Sequence, residues 1–277
     1  MRDFEYIAPS FLGEESREDI LSIRFSTGGL CFCVLRNGTL RVFVKESYEE
    51  MDEGNICDIV IRLLKEDPCA SLNYRKVLVQ YEKRDKLVIP DELLDDASLP
   101  VWMLTVQDYR FGDSYTRNTL DSFQATVVSS FPKKFVETVT ALCHDVSFSN
   151  SIVPFLEHSF EKIEAGDGGD RIFIDLHAGY MDAVLFQDKT LLSIDTFDIA
   201  SAEDALYYVI SLLNARSGSL SAPCLVSGES PFKQQILSLL SRYLLKVETA
   251  DCEAWKIFCP ERTELASDFV YMLNSGI

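Results

Sequence analysis

The sequence predicts an α/β protein that contains two copies of one β-β-β-α-β unit. Three observations support this fold class. Apolar runs of strand length occur in groups of three, and an apolar stripe of helical spacing follows each group. The same order then recurs at an offset of about 150 residues. Because segment order and length repeat while residue identities do not, we interpret the repeat as an internal duplication.

The first unit begins with three strands that two short turns connect. Residues 21–26 alternate apolar and polar side chains, and residues 30–35 are apolar on both faces, as in a central strand. Residues 39–46 form the third strand. The Asn37-Gly38 dipeptide before it is a strong signal for a tight β-hairpin.

A helix and a fourth strand complete the first unit. Asn55 is the expected N-cap of the helix, and residues 76–82 are the expected strand. The apolar stripe of the helix consists of Ile56, Ile59, Val60, Leu63 and Leu64.

The second unit repeats this arrangement. Ser201 and Asp204 have the spacing of a helix start signal directly after the third strand. The four strands are expected at residues 171–177, 180–186, 190–199 and 222–228.

Further segments lie between and after the two units. Apolar runs at 101–109 and 123–131 predict inserted strands, and helices are expected from Pro132 and over 153–163. The acidic, glycine-rich segment 164–170 is a linker by composition. We therefore expect a first lobe at residues 1–165 and a second lobe at residues 166–277.

Two C-terminal helices are also expected. Ser230 is the predicted N-cap of the first helix, and Pro231 its first residue. An apolar stripe over residues 265–273 predicts the second helix.

Composition and charge limit the classes of function. The formal net charge of −18 opposes binding to a phosphate backbone, so nucleic acid is not an expected partner. No apolar run approaches the roughly 18 residues of a membrane-spanning helix, and acids near the N-terminus oppose a signal peptide. We therefore expect a soluble cytoplasmic protein without a membrane span.

The cysteine pattern does not predict a metal site. None of the eight cysteines forms a C-x-x-C pair, and the three histidines lie far from any cysteine pair. Reduced thiols in the protein core are the expected state, and no metal ligand is predicted.

Several short segments carry a resemblance to a known family. They are "LVIP" (87–90), "SSFPKKFVETV" (129–139), "SIDTFDI" (193–199), "EDALYYV" (203–209) and "LVSGES" (225–230). With these segments the chain resembles an uncharacterised bacterial family, a domain of unknown function with the actin-like ATPase fold. Its proportions are also similar to those of PilM-type pilus-assembly proteins. The resemblance implies a ribonuclease-H-like core in each half and two lobes with a cleft.

The resemblance also implies a phosphate-binding hairpin in the second half. The superfamily pattern D-x-G-x-G-T-T-D matches residues 175–182, in which Asp175, Gly179 and Asp182 are kept. His177 replaces the first glycine, and Tyr180 and Met181 replace the threonines. A side chain at position 177 would occupy space that a phosphate needs. The motif is therefore degenerate.

Corresponding positions of the nucleotide site are implied elsewhere. In the first half Arg24 stands where the family has a metal-holding acid, and Thr27 and Gly28 form the turn. Arg24 either contacts phosphate or is a polar residue on the less buried face of its strand; we favour the second interpretation. Ser227 and Gly228 match the adenosine turn, but they also suit an ordinary strand-to-helix turn.

These residues leave two main hypotheses. The favoured one is a non-catalytic actin-like protein that acts as a binding or scaffold module with a protein partner. Two lobes with a cleft could also support a homodimer. The alternative is a nucleotide-binding protein or slow ATPase that uses ATP and Mg²⁺. Asp175, Asp182 and Asp195 could converge as in a two-metal nuclease, but the acidic surface opposes a nucleic-acid substrate.

Overall fold

The structure is a computed structural model, and it divides into two compact units. One unit comprises the described residues up to Val153, and the other begins at Pro154. The domain limits expected from the linker, 1–165 and 166–277, stay a prediction. The predicted helix over 265–273, Cys252 and Cys259 lie outside the described residues. The described residues are 2–11, 13–105, 110, 112–166, 169–215 and 220–250.

The first unit contains two sheets and three helices, and α4 (Ile152–Glu164) belongs to the second unit except for its first two residues. Its elements are β1 (Phe4–Ile7), β2 (Ile20–Ser26), β3 (Gly29–Arg36), β4 (Thr39–Ser47), α1 (Glu53–Glu66), β5 (Lys76–Tyr81), β6 (Lys86–Pro90), α2 (Leu99–Met103), β7 (Ser114–Leu120), β8 (Ala125–Phe131), α3 (Lys133–Leu142) and β9 (Val146–Asn150).

The larger sheet of this unit has the strand order β1-β4-β3-β2-β5-β9. β5 and β9 run parallel to β2, whereas β3, β4 and β1 continue the sheet in antiparallel pairs. Helices α1 and α3 pack on one face of this sheet, where Ile56, Val60 and Phe135 join the buried core. A separate three-stranded sheet has the order β6-β8-β7.

The second unit repeats the sheet order of the first. Its sheet reads β12-β11-β10-β13-β14, which corresponds to β4-β3-β2-β5-β9. The predicted repeat of a β-β-β-α-β topology is therefore confirmed. The elements are β10 (Arg171–Leu176), β11 (Tyr180–Gln187), β12 (Thr190–Asp198), α5 (Ala202–Ala215), β13 (Cys224–Gly228), α6 (Lys233–Tyr243) and β14 (Val247–Thr249).

Both units also share an irregularity in strand pairing. The β3–β4 register shifts between Val34 and Leu35, and the β11–β12 register shifts between Leu185 and Phe186. Each shift lies close to the tight turn of its hairpin. A bulge of this kind moves all later pairs by one residue, and it therefore decides which side chains face each other.

Three local predictions were wrong. The N-cap of α1 is Asp52, whose carboxylate accepts the amide hydrogen of Asn55 at 2.9 Å. The run 101–109 was expected as a strand, but its first residues belong to α2 and residues 106–109 are not described. Helix α6 begins at Lys233 rather than at Pro231, and Ser230 instead accepts the amide of Phe232.

A helix forms at α2 because its surroundings favour a turn. The carboxylate of Asp95 accepts the backbone amides of Ala97 and Ser98, which starts a helical turn. Leu99 and Met103 are four residues apart and are both fully buried beside Val128. The same apolar residues therefore suit a helix as well as a strand.

We expect the substitution Lys189→Gly to stabilise the protein. Lys189 has φ +71° in the hairpin turn after β11, where the first unit has Gly38 with φ +72°. Removing a side chain from this left-handed conformation should relieve backbone strain, and the greater entropy of glycine in the unfolded chain offsets part of this effect. The free energy of unfolding should therefore rise by about 0.5–1 kcal/mol.

Urea denaturation of Lys189→Gly and Lys189→Ala would measure this gain. The alanine variant is the control, because it removes the charge and keeps the strained backbone. A glycine variant no more stable than the alanine variant would contradict the prediction.

Candidate functional site

A row of four polar side chains crosses the sheet of the second unit. Asp175 on β10 lies opposite Asp182 on β11 and opposite Ser227 on β13. Asp182 in turn lies opposite Thr196 on β12. Asp175, Asp182 and Ser227 are each only 1% exposed and therefore buried, whereas Thr196 is half-buried.

The alternation of β10 places this row on a defined face of the sheet. Ile172, Ile174 and Leu176 belong to the core beneath helices α5 and α6. Because successive side chains of a strand point to opposite faces, Phe173 and Asp175 lie on the other face. The polar row therefore lies on the face that α5 and α6 do not cover.

A hydroxyl group holds one oxygen of each carboxylate. Ser227 Oγ lies 2.9 Å from Asp175 Oδ1 and also 3.0 Å from the carbonyl oxygen of Ile174. Thr196 Oγ1 donates to Asp182 Oδ1 at 2.6 Å. These contacts fix the orientation of both carboxylates and direct their second oxygens toward the same imidazole.

His177 brings the two carboxylates together. Its Nε2 lies 3.5 Å from Asp175 Oδ2 and 3.3 Å from Asp182 Oδ2, and the ring is 1% exposed. The imidazole stacks on Tyr180 with the ring centroids 4.2 Å apart. Directly opposed carboxylates repel one another, and the imidazole beside both of them is the group placed to offset that repulsion.

The backbone of the hairpin holds His177 in this place. The amide of His177 donates to the carbonyl of Tyr180 at 2.9 Å, and the amide of Gly179 donates to the carbonyl of His177 at 2.9 Å. Gly179 has φ +106°, a conformation that glycine adopts at little cost. The predicted turn glycine is therefore required by the local backbone.

Gly228 follows Ser227 and is the last residue of β13. It has φ +73°, and an added Cβ would lie 2.6 Å from Asp175 Oδ1 and would meet the carbonyl oxygen of Leu176. The next amide, of Glu229, donates to that carbonyl at 2.9 Å. Strand packing alone therefore requires a glycine at this position, whether or not a nucleotide binds.

The residues of this row do not fit a magnesium ion. Mg²⁺ needs six oxygen ligands in near-ideal octahedral geometry at about 2.1 Å. Here the imidazole of His177 occupies the space between the two carboxylates, and hydroxyl groups hold their other oxygens. In the described part of the chain, no group of three or more His, Cys, Asp or Glu side chains is arranged to hold a metal.

The predicted residues of the first unit have other roles. Arg24 is 4% exposed, so the expectation of a less buried strand face was wrong. Its Nη2 lies 3.0 Å from Glu82 Oε2, and this pairing offsets the cost of burying the guanidinium group. The carbonyls of Thr27 and Gly28 accept the amides of Met51 and Tyr48, which fixes the turn.

Sequence reasoning missed a second buried group of polar residues, in the first unit. Lys83 Nζ lies 3.1 Å from Glu53 Oε1 and 3.3 Å from Ser130 Oγ. The charge of Glu53 also acts on the carboxyl group of Asp113. Burial raises the pKa of this carboxyl, and the charge of Glu53 raises it further. The segment "YEKRDK" (81–86) gave no signal of a buried lysine, because its composition is that of an exposed loop.

Asp195 does not join Asp175 and Asp182. Asp195 pairs with Ala183, which is the pair next to that of Thr196 with Asp182. Because successive side chains of a strand point to opposite faces, Asp195 lies on the face opposite to Asp182. The three acids do not converge as a two-metal nuclease would require.

The chain has the actin-like ATPase fold, as its likeness to solved structures shows. It is similar to a Bacteroides thetaiotaomicron VPI-5482 protein described as having an actin-like ATPase fold and unknown function. That likeness has a TM-score of 0.76 at 18% identity, over 87% of this chain and 93% of the other.

A second solved structure is the PilM-PilN type IV pilus biogenesis complex, with a TM-score of 0.59 at 14% identity. The likeness covers 93% of this chain and 97% of the other. None of the curated proteins matches the chain.

The family follows from the sequence match. Residues 9–247 match the model of "Protein of unknown function (DUF3822)", and the chain belongs to this family. Among the helices that the structure describes, none has the length and apolar character needed to cross a membrane.

Proposed function

We propose that this protein is a non-catalytic member of the actin-like ATPase fold that acts as a binding or scaffold module. One observation carries the proposal: the imidazole of His177 lies 3.5 Å from Asp175 Oδ2 and 3.3 Å from Asp182 Oδ2. Phosphoryl transfer depends on positioned metal and phosphate charges. Here the two acids of the hairpin contact a histidine within the protein instead.

The two units support an origin by duplication followed by loss of phosphate chemistry. Their sheets share strand order and the position of the bulge, which preserves the architecture of both hairpins. In the first unit, Arg24 stands where the superfamily has its metal-holding acid, and Arg24 pairs with Glu82. We infer that the fold was retained for its surfaces.

The partner of such a module is inferred to be a protein. The similar PilM structure was solved in complex with PilN, so this fold can serve in a protein assembly. The net charge of −18 opposes nucleic acid as the partner.

A nucleotide-binding protein is the second candidate. Asp175 and the positive-φ glycines Gly179 and Gly228 keep part of the phosphate-binding pattern. In this case Asp175 would have to leave His177 and Ser227 when ATP and Mg²⁺ bind.

Calorimetric titration and thermal denaturation with ATP or ADP and Mg²⁺ test the proposal. We expect neither heat of binding nor a rise in melting temperature at millimolar nucleotide, because bound ligand would stabilise the folded state by mass action. The variants are Asp175→Ala and, as the control, Asp195→Ala, which removes the same charge from the opposite face. Stabilisation that is lost only in Asp175→Ala would overturn the proposal and establish nucleotide binding.

A further inference from the structure

The second unit contains a cavity of about 400 Å³ beside the first residues of β10. Phe173 and Leu225 contribute to its lining, whereas Cys224 and Val226, which alternate with Leu225 on β13, belong to the core beneath α5 and α6. Because successive side chains of a strand point to opposite faces, the cavity lies on the face that these helices do not cover. Its volume is within the range of sites that bind small organic molecules.

Two cationic side chains line this cavity. Lys162 lies on α4, and Arg171 is the first residue of β10. Neither side chain forms an ion pair with a carboxylate of the residues that the structure describes. Acidic residues outnumber basic ones by 44 to 26 in this protein, so two cations without an acidic partner at one cavity indicate an anionic ligand.

The guanidinium group of Arg171 lies directly against Gly166, just after the end of α4. A Cβ added to Gly166 would lie 2.9 Å from Arg171 Nη2 and 3.2 Å from Cζ, so glycine at this position leaves room for the guanidinium group. The corresponding residue of the first unit is Ile20, which is 8% exposed. A buried apolar side chain therefore suits this position of the repeated fold, and the charge of Arg171 is a particular feature of the second unit.

Apolar side chains also line the cavity. Phe173 is 2% exposed and packs edge-on against Phe186 of β11, with the ring centroids 5.8 Å apart. Leu225 of β13 and the nearby Pro223 continue this apolar wall. A ligand that fills the cavity therefore needs an apolar part as well as a charged group.

The lining carries an excess of positive charge. Burial, and to a smaller extent the charge of Lys162, lowers the pKa of the His158 imidazole to about 4, so His158 is neutral at pH 7. Glu248 also lines the cavity, but its Oε1 lies 3.0 Å from the Nζ of Lys246. The charges of Lys162 and Arg171 are therefore not balanced within the lining.

We propose that this cavity binds a small organic anion with a carboxylate or phosphate group. That group contacts Arg171 and Lys162. The apolar part of the ligand lies on Phe173 and Leu225. A guanidinium group binds either kind of anion through two parallel hydrogen bonds. The site goes beyond the proposed function, because it involves no protein partner and because Asp175 lies four residues further along β10, about 13 Å from Arg171.

Isothermal titration calorimetry of the full chain with naphthalene compounds tests the proposal. The anions are 1-naphthaleneacetate and 1-naphthyl phosphate, and the uncharged analogue is 1-naphthaleneacetamide. We expect dissociation constants on the order of 0.1–1 mM for the anions. The amide, which lacks the charge, and inorganic phosphate, which lacks the apolar part, should bind at least tenfold more weakly. The tighter of the two anions identifies the group that the site prefers.

Substitutions of charged residues locate the binding. Arg171→Met and Lys162→Met should each weaken binding of the anions at least fivefold. Glu248→Gln should strengthen it at least twofold, because this variant removes negative charge from the lining and a merely damaged fold would not bind more tightly. Arg242→Met is the matched control, since Arg242 lies on α6 at the other face of the sheet and the variant should bind like the wild type. Circular dichroism establishes that each variant is folded.

Several results would overturn the proposal. The first is a wild type that binds neither naphthalene anion at millimolar concentration. The second is equal affinity for the anions and the amide. Binding that is unchanged in both Arg171→Met and Lys162→Met, or an equal loss of binding in Arg242→Met, would exclude this cavity as the site.

Discussion

Replacement of Gly228 by alanine is expected to destabilise the protein by more than about 3 kcal/mol. Two effects combine at this position. The φ of +73° is strained for alanine, and the new Cβ would meet the Leu176 carbonyl and lie 2.6 Å from both Asp175 Oδ1 and the Leu176 amide nitrogen. Backbone atoms of β10 cannot move away without disrupting the pairing of β10 with β13. Urea denaturation followed by circular dichroism would measure the loss.

Gly38→Ala separates the two effects. Gly38 has a φ of +72°, but nothing lies within 4 Å of an added Cβ. Its substitution should therefore cost only the backbone strain, about 1–2 kcal/mol. Equal losses for the two variants would mean that the close approach at Gly228 has no energetic effect.

Replacement of His177 by alanine is expected to destabilise the protein by about 3 kcal/mol or more. The substitution removes the imidazole between Asp175 and Asp182 and leaves two buried carboxylates on directly opposed residues. It also removes the ring that stacks on Tyr180. Urea denaturation of His177→Ala and of the control His144→Ala, whose side chain is exposed, would measure the difference.

A second substitution tests whether charge causes this loss. In His177→Ala with Asp182→Asn, the amide oxygen can still accept from Thr196, and one of the two opposed charges is gone. We expect this double variant to regain at least half of the lost stability. A single variant that loses less than about 1 kcal/mol, or a double variant that regains nothing, would contradict the electrostatic role of His177.

Millimolar Mn²⁺ offers an independent measurement on the same variants. Without the imidazole, the two carboxylates can bind a divalent cation, so the metal should raise the melting temperature of His177→Ala. The wild type and His144→Ala should not respond. A response of the wild type equal to that of the variant would mean that His177 does not block the carboxylates.

Much of the site could be predicted from the sequence, because its residues lie at the ends of strongly patterned strands. Asp175, Ser227 and Gly228 were expected at one hairpin and one turn, and the structure brings them together, with Gly179 in the turn of that hairpin. Thr196 was missed because its contact with Asp182 depends on the register between two strands. Lys83 was missed because composition does not reveal burial.

The buried position of Arg24 also required the tertiary structure. Its strand alternates polar and apolar residues, which indicated that Arg24 lies on the less buried face. Ser22, Arg24 and Gln80 are nevertheless all less than 5% exposed, so both faces of this part of the sheet are covered. Alternation reports the polarity of a face, whereas burial depends on what packs against it.

The sequence by itself determined the repeated topology, because strand length, turn residues and helix stripes are local properties that recur in both units. Only the tertiary structure decided which side chains of β11 and β12 meet. Next to the turn, Phe186 pairs with Leu191. Without the bulge between Leu185 and Phe186, this register would continue along both strands and place Asp182 opposite Asp195. The bulge shifts the register by one residue, so that Asp182 faces the hydroxyl of Thr196 and Asp195 lies on the other face.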